Sequence, residues 1–168
     1  MKWGSYLKRE LYCADYKTIL VAVAIHFACG ILSALLGGSA SVYRYLLLPH
    51  FAPPPFLFVL IWSFLYVILG TALGIYLSSY ECRRGRWRLN TCLLYGLFLL
   101  SLFLWYPIFF GAKLFSLALV VIACIISISL FVFRHFMKRS RLAGFLLIPC
   151  IGFFAFSFFL NFCILLLN

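Results

Sequence analysis

Five long apolar stretches, Thr18–Ala40, Phe56–Tyr80, Leu89–Phe110, Leu114–Phe133 and Leu142–Asn168, take up most of this chain. A helix needs about 20 apolar residues to cross ~30 Å of hydrocarbon, so each stretch is long enough to span a bilayer. In lipid the backbone must satisfy its own hydrogen bonds, which leaves helices or closed barrels. Barrel strands alternate apolar and polar residues, and runs such as Ala118-Leu119-Val120-Val121-Ile122-Ala123 do not alternate. Composition agrees: 67% of the 168 residues are hydrophobic and 10% charged, more apolar surface than a soluble fold of this size can bury. The expected fold class is therefore all-α, an integral membrane bundle of five transmembrane helices. Residues 18–168 form its single domain, and residues 1–17 precede it as a cytoplasmic or interfacial segment.

The formal charge of +11 does not indicate nucleic acid, because the cations lie in short clusters between the apolar runs. Lys2, Lys8, Arg9 and Lys17 precede the first run. Arg83, Arg84, Arg86 and Arg88 separate the second and third, and Arg134, Lys138, Arg139 and Arg141 the fourth and fifth. Arg44 and Lys113 alone fall in the other two connections. By the positive-inside rule the N-terminus is cytoplasmic and, with an odd number of spans, the C-terminus is outside. The asymmetry points to a bacterial inner membrane. The first run exceeds the 7–15 residues of a signal-peptide core, so it reads as a retained span despite the small residues Gly38-Ser39-Ala40. Trp3, Leu7, Leu11 and Ala14 share one helical face and fit an interfacial helix; an irregular tail fits equally well.

Absent residues narrow the function. The acidic residues Glu10, Asp15 and Glu81 all lie on the expected cytoplasmic side, and no carboxylate, lysine or arginine sits deep in a span. Proton-coupled pumps place such groups at mid-membrane. His26 is the one histidine inside a span, and it is expected to hydrogen-bond a neighbouring helix. No paired carboxylates, Ser/His/Asp set or phosphate loop occurs. Cys29, Cys92, Cys124, Cys150 and Cys163 lie within spans as small apolar residues. No metal site, disulfide framework or cofactor is expected, and no catalytic residue stands out.

What remains is aromatic: twenty Phe, ten Tyr and four Trp, suited to a flat apolar ligand. The second span opens at Pro53-Pro54-Pro55, where missing N–H groups are harmless. Trp62, Tyr66 and Gly70 follow at i, i+4 and i+8 on one face. Helix packing and ligand stacking both fit that face. Gly70 and Gly74 form a small-xxx-small pair that permits close helix approach.

Three blocks together resemble the TspO/MBR family of translocator proteins. Pro49, Pro53, Pro54, Trp62, Leu65, Tyr66 and Gly70 match its first motif. Trp105-Tyr106-Pro107-Ile108-Phe109-Phe110-Gly111-Ala112-Lys113 is similar to its Trp-x-x-x-Phe-Phe-Gly-x-Arg/Lys segment. Leu146-Leu147-Ile148-Pro149, Ala155-Phe156 and Leu160-Asn161 are similar to its last helix. Several family positions differ. Leu48 replaces a lysine, Phe98 and Leu102 replace Gln and Asn, Val121 an aspartate, Cys150 a tyrosine and Phe153 a tryptophan. The C-terminal sterol pattern lacks its basic residue.

The resemblance implies an interhelical pocket for a porphyrin or other apolar small molecule, capped by the loop Ser41–Phe51 with one short helical turn. An exposed loop fits its composition equally. The implied ligand contacts are Trp62, Tyr66 and Trp105, with Phe153, Ser157 and Leu160 as the opposite wall. Arg44 or Lys113 would meet ligand carboxylates at the rim, and Asn161 would hydrogen-bond a neighbouring helix. Beyond ligand and lipid bilayer, the resemblance leaves a homodimer open. The implied function is a receptor or sensor. A transporter, a light-dependent porphyrin-degrading enzyme and a purely structural protein are the alternatives. Phe153 lacks the indole that degradation would use, which argues against the enzyme.

Overall fold

The computed structural model describes residues 12, 14–38, 40–79 and 87–168. The face shared by Trp3, Leu7, Leu11 and Ala14 and the cluster Arg83, Arg84 and Arg86 fall wholly or mostly outside these residues.

Among these described residues, five helices are long and apolar enough to cross a membrane. They are α1 (Tyr16–Gly37), α2 (Pro55–Ser78), α3 (Trp87–Tyr106), α4 (Phe115–Arg139) and α5 (Arg141–Leu167). At 1.5 Å per residue they run roughly 30–40 Å, enough for the hydrocarbon core. Their limits follow from capping. Asp15 accepts from the backbone N–H groups of Lys17 and Thr18, so α1 starts at Tyr16 rather than at the first apolar residue. Ser140 ends α4 and caps α5 by accepting from the Ala143 N–H at 3.2 Å. Helix α4 runs past its apolar stretch to Arg139, with Lys138 and Arg139 at its negative dipole end.

Packing partners define a closed ring in the order α1, α2, α5, α4, α3, with α3 returning to α1. The tightest seam is α1 against α2. A Cβ on Gly70 would lie 2.5 Å from the Val23 Cα, and one on Gly74 2.5 Å from the Ile19 Cα. The two glycines therefore let the backbones meet, as their spacing suggested.

Pro107 sets the shape of the third span. After it, one π-helical turn covers Pro107–Gly111, closed by the Ala112 N–H donating to the Pro107 carbonyl at 2.9 Å. Proline has no N–H to offer the carbonyl four residues back, that of Phe103. The Ser33 hydroxyl on α1 donates to this carbonyl instead, at 2.6 Å. Lys113, at φ 55°, adopts the left-handed conformation that reverses the chain into α4.

Between α1 and α2, a 3-10 helix covers Ala40–Tyr45. It supplies the short helical turn expected of this loop. The loop is fastened at several points. The buried Tyr43 donates its hydroxyl to the Pro53 carbonyl at 3.1 Å. Asn168 accepts from the Leu47 N–H at 3.0 Å and donates to the Leu47 carbonyl at 3.1 Å. Phe51 stacks on Phe159 with centroids 5.4 Å apart. Burial pushes the Tyr43 hydroxyl above the ordinary tyrosine range.

Candidate functional site

An aromatic column runs through the centre of the ring. Trp62 on α2 stacks on Trp105 on α3, centroids 5.4 Å apart and planes 21° apart. Trp105 stacks in turn on Phe109 at 5.4 Å and 24°. Phe58, one turn before Trp62, leans on both indoles. From α5, Phe153 meets Trp62 edge-on at 5.8 Å and Phe154 tilts against it at 6.0 Å. Neither indole N–H has a hydrogen-bond partner among the described residues.

A cavity of about 270 Å³ lies on one side of this column, walled by α1, α2 and α3. Helix α1 contributes Phe27, Gly30, Ile31, Ser33 and Ala34, and α2 contributes Phe58, Val59, Trp62, Ser63 and Tyr66. Leu102, Trp105 and Tyr106 of α3 complete it. Its position follows from the α1–α2 seam. The two helices touch at Ile19–Gly74 and Val23–Gly70, and the cavity lies beyond these contacts, on the side of their connecting loop. The Tyr66 ring lies against Gly30, where a Cβ would come within 2.6 Å of it. Tyr106 packs on Gly37 in the same way. Two rings thus occupy space that two glycines leave open, and the cavity lies among them. With Phe, Trp, Tyr and aliphatic walls, it suits a flat apolar body.

On the far side of the column is a second void of about 10 Å³, the space of one water, touched by Tyr43, Ser157, Leu160 and Asn161. Phe58 and Trp105 line both voids and form the partition between them. Ser157 and Asn161 are buried, yet the Ser157 hydroxyl and both Asn161 amide atoms lack partners among the described residues. The hydrogen bond expected from Asn161 to a neighbouring helix is therefore not made. Its side chain lines the small void instead, where helix packing offers no matching polar group.

The six residues expected to touch ligand are thus distributed. Trp62, Tyr66 and Trp105 line the larger cavity. Ser157 and Leu160 line the smaller one, together with Trp105. Phe153 lines neither and packs on the Trp62 edge. The wall facing Trp62 across the larger cavity is α1. Sequence periodicity had no means of finding Phe27, Gly30 and Ala34, which carry no distinctive chemistry. Arg44 and Lys113 are exposed and line neither void.

His26 does reach a neighbouring helix, as expected. Its Nδ1 lies 2.7 Å from the Ala22 carbonyl and its Nε2 3.0 Å from the Tyr95 hydroxyl of α3. Tyr95 is also 3.1 Å from the Leu69 carbonyl of α2, so this node ties three helices together below the cavity. No group of three or more metal-binding side chains occurs among the described residues.

Comparison with known sequences agrees with the motif blocks. The sequence profile of the TspO/MBR family matches residues 21–167. The chain is 30% identical over 130 residues to the tryptophan-rich protein TspO of Chlorobaculum tepidum, covering 75% of this chain and 78% of that protein.

Proposed function

The chain belongs to the TspO/MBR family, and from that premise we propose that it is a membrane receptor for a porphyrin-like or other flat apolar ligand, held in the α1–α2–α3 cavity. Family membership supports a sensor- or transporter-type role in the membrane. The receptor reading rests on one observation: a 270 Å³ cavity whose floor is the stacked pair Trp62–Trp105. That volume is near the lower edge of the ~300–1,000 Å³ of small-molecule sites, enough for a few fused rings. Trp62 would stack on the ligand face and Tyr66 would close the end nearest the cytoplasm. Transport and light-dependent degradation are alternatives that no feature of the cavity favours. Phe153, at the position where the family has tryptophan, offers a stacking edge but no indole.

The same reading places the protein in a bacterial inner membrane with its N-terminus in the cytoplasm, supported by twelve of fourteen cations on one side. The site is tested by comparing protoporphyrin affinity of wild type and Trp62→Ala, followed through the porphyrin's own absorbance. Loss of a stacked ring costs about 1–3 kcal/mol, so affinity falls roughly ten- to hundredfold. Equal affinity would place the ligand elsewhere.

A further inference from the structure

We propose that ligand reaches this cavity sideways from the lipid, through the gap between the loop-side halves of α1 and α2, and not through the connecting loop. The proposal rests on the receptor reading above for what binds, and concerns the route alone.

Two sets of observations carry it. The first is where the cavity opens. Ile31, Ala34 and Val59 line it and are also exposed, Ile31 at 58% and Val59 at 56%. Within a membrane span those surfaces face acyl chains, so the mouth is a lipid-facing slot. The second is what closes the other end. Among the described residues of the segment 38–54, none lines the larger cavity; its Tyr43 touches only the small void. That segment is anchored by the Tyr43–Pro53 hydrogen bond, the paired Leu47–Asn168 hydrogen bonds and the Phe51–Phe159 stack. A path from water through the loop at Tyr43 must break these contacts and then displace the Phe58–Trp105 partition. A path from lipid meets only the rims of two helices. Flat apolar molecules concentrate in the bilayer, so the slot faces the phase that holds them. A body larger than the cavity, such as a tetrapyrrole, can seat one edge against Trp62 and leave the other in the slot.

The test measures rates, with protein in lipid nanodiscs and protoporphyrin supplied from preloaded vesicles, followed by porphyrin fluorescence. Ala34→Phe narrows the slot, and Asn168→Ala releases the loop anchor. The expected result is that Ala34→Phe slows association and dissociation together, each by about tenfold or more, as obstruction of a shared path requires. Asn168→Ala leaves both rates within about twofold of wild type. The proposal is overturned if Asn168→Ala speeds both rates, which marks the loop as the path. It is overturned equally if Ala34→Phe leaves association unchanged and only hastens dissociation, which marks Ala34 as wall alone. Val59→Trp, on the opposite rim, repeats the test where Ala34→Phe fails to fold. Wild type that binds normally while the rim variants keep wild-type rates refutes the route and spares the receptor. Wild type that does not bind refutes both.

Discussion

The Nδ1 atom of His26 faces a carbonyl, so it must carry the ring proton and donate; Nε2 is then the acceptor for Tyr95. The two ends of this bond are unequal. If Tyr95 is truncated, Nε2 is left buried and unpaired, a cost of about 1–3 kcal/mol. If His26 becomes Leu, the Tyr95 hydroxyl turns its one proton to the Leu69 carbonyl, 3.1 Å away, and little is orphaned. Tyr95→Phe is therefore expected to lower the thermal midpoint in detergent more than His26→Leu does. Equal losses would show that His26 matters by volume and not by its hydrogen bond. Phe153 invites a second substitution. Phe153→Trp places an indole against the Trp62 edge, so any light-dependent porphyrin turnover should rise while affinity stays close to wild type. Turnover already high in wild type would make the missing indole irrelevant. His26 was legible because a lone imidazole in an apolar run needs a partner. Asn161 invited the same logic and it failed, because whether a polar partner is present depends on the facing helix, which one helix's sequence does not reveal.

Glycine decides how the elements meet. At Gly70 and Gly74 an added Cβ collides with α1 backbone, which cannot swing aside as a side chain can. Gly70→Ala or Gly74→Ala should cost about 1–3 kcal/mol through overpacking of the α1–α2 seam. Gly96 and Gly152 are helical too, and a Cβ there meets nothing within 4 Å. Gly96→Ala and Gly152→Ala should stabilise by about 0.5–1 kcal/mol through helix propensity. Denaturation in mixed detergent micelles ranks the four; a loss at Gly96 equal to that at Gly70 would contradict the seam. The small-xxx-small spacing was visible in the sequence, and Pro107 was visible within a motif block. Neither the partner helix nor the π-helical turn was, since the repair by Ser33 depends on α1 lying beside α3.

For the whole molecule, apolar length read the five spans to within a few residues, except that α4 ran on through its basic end. Ring order was beyond it: uniformly apolar helices lack the stripe that would say which faces meet. The motif blocks brought Trp62, Tyr66 and Trp105 into one cavity, yet α1, with no motif of its own, supplies the opposite wall. The charge count makes a global prediction. A reporter fused after Asn168 that is active only outside the cytoplasm should report activity, and a silent fusion that is well expressed would reverse the orientation. The central claim is that the bundle holds a flat aromatic ligand inside it, and equilibrium titration tests this most directly. Wild-type protein in nanodiscs is titrated with protoporphyrin and compared with empty nanodiscs. The account predicts saturable binding of one porphyrin per chain above the lipid background; uptake that never saturates and equals that of empty nanodiscs would contradict it.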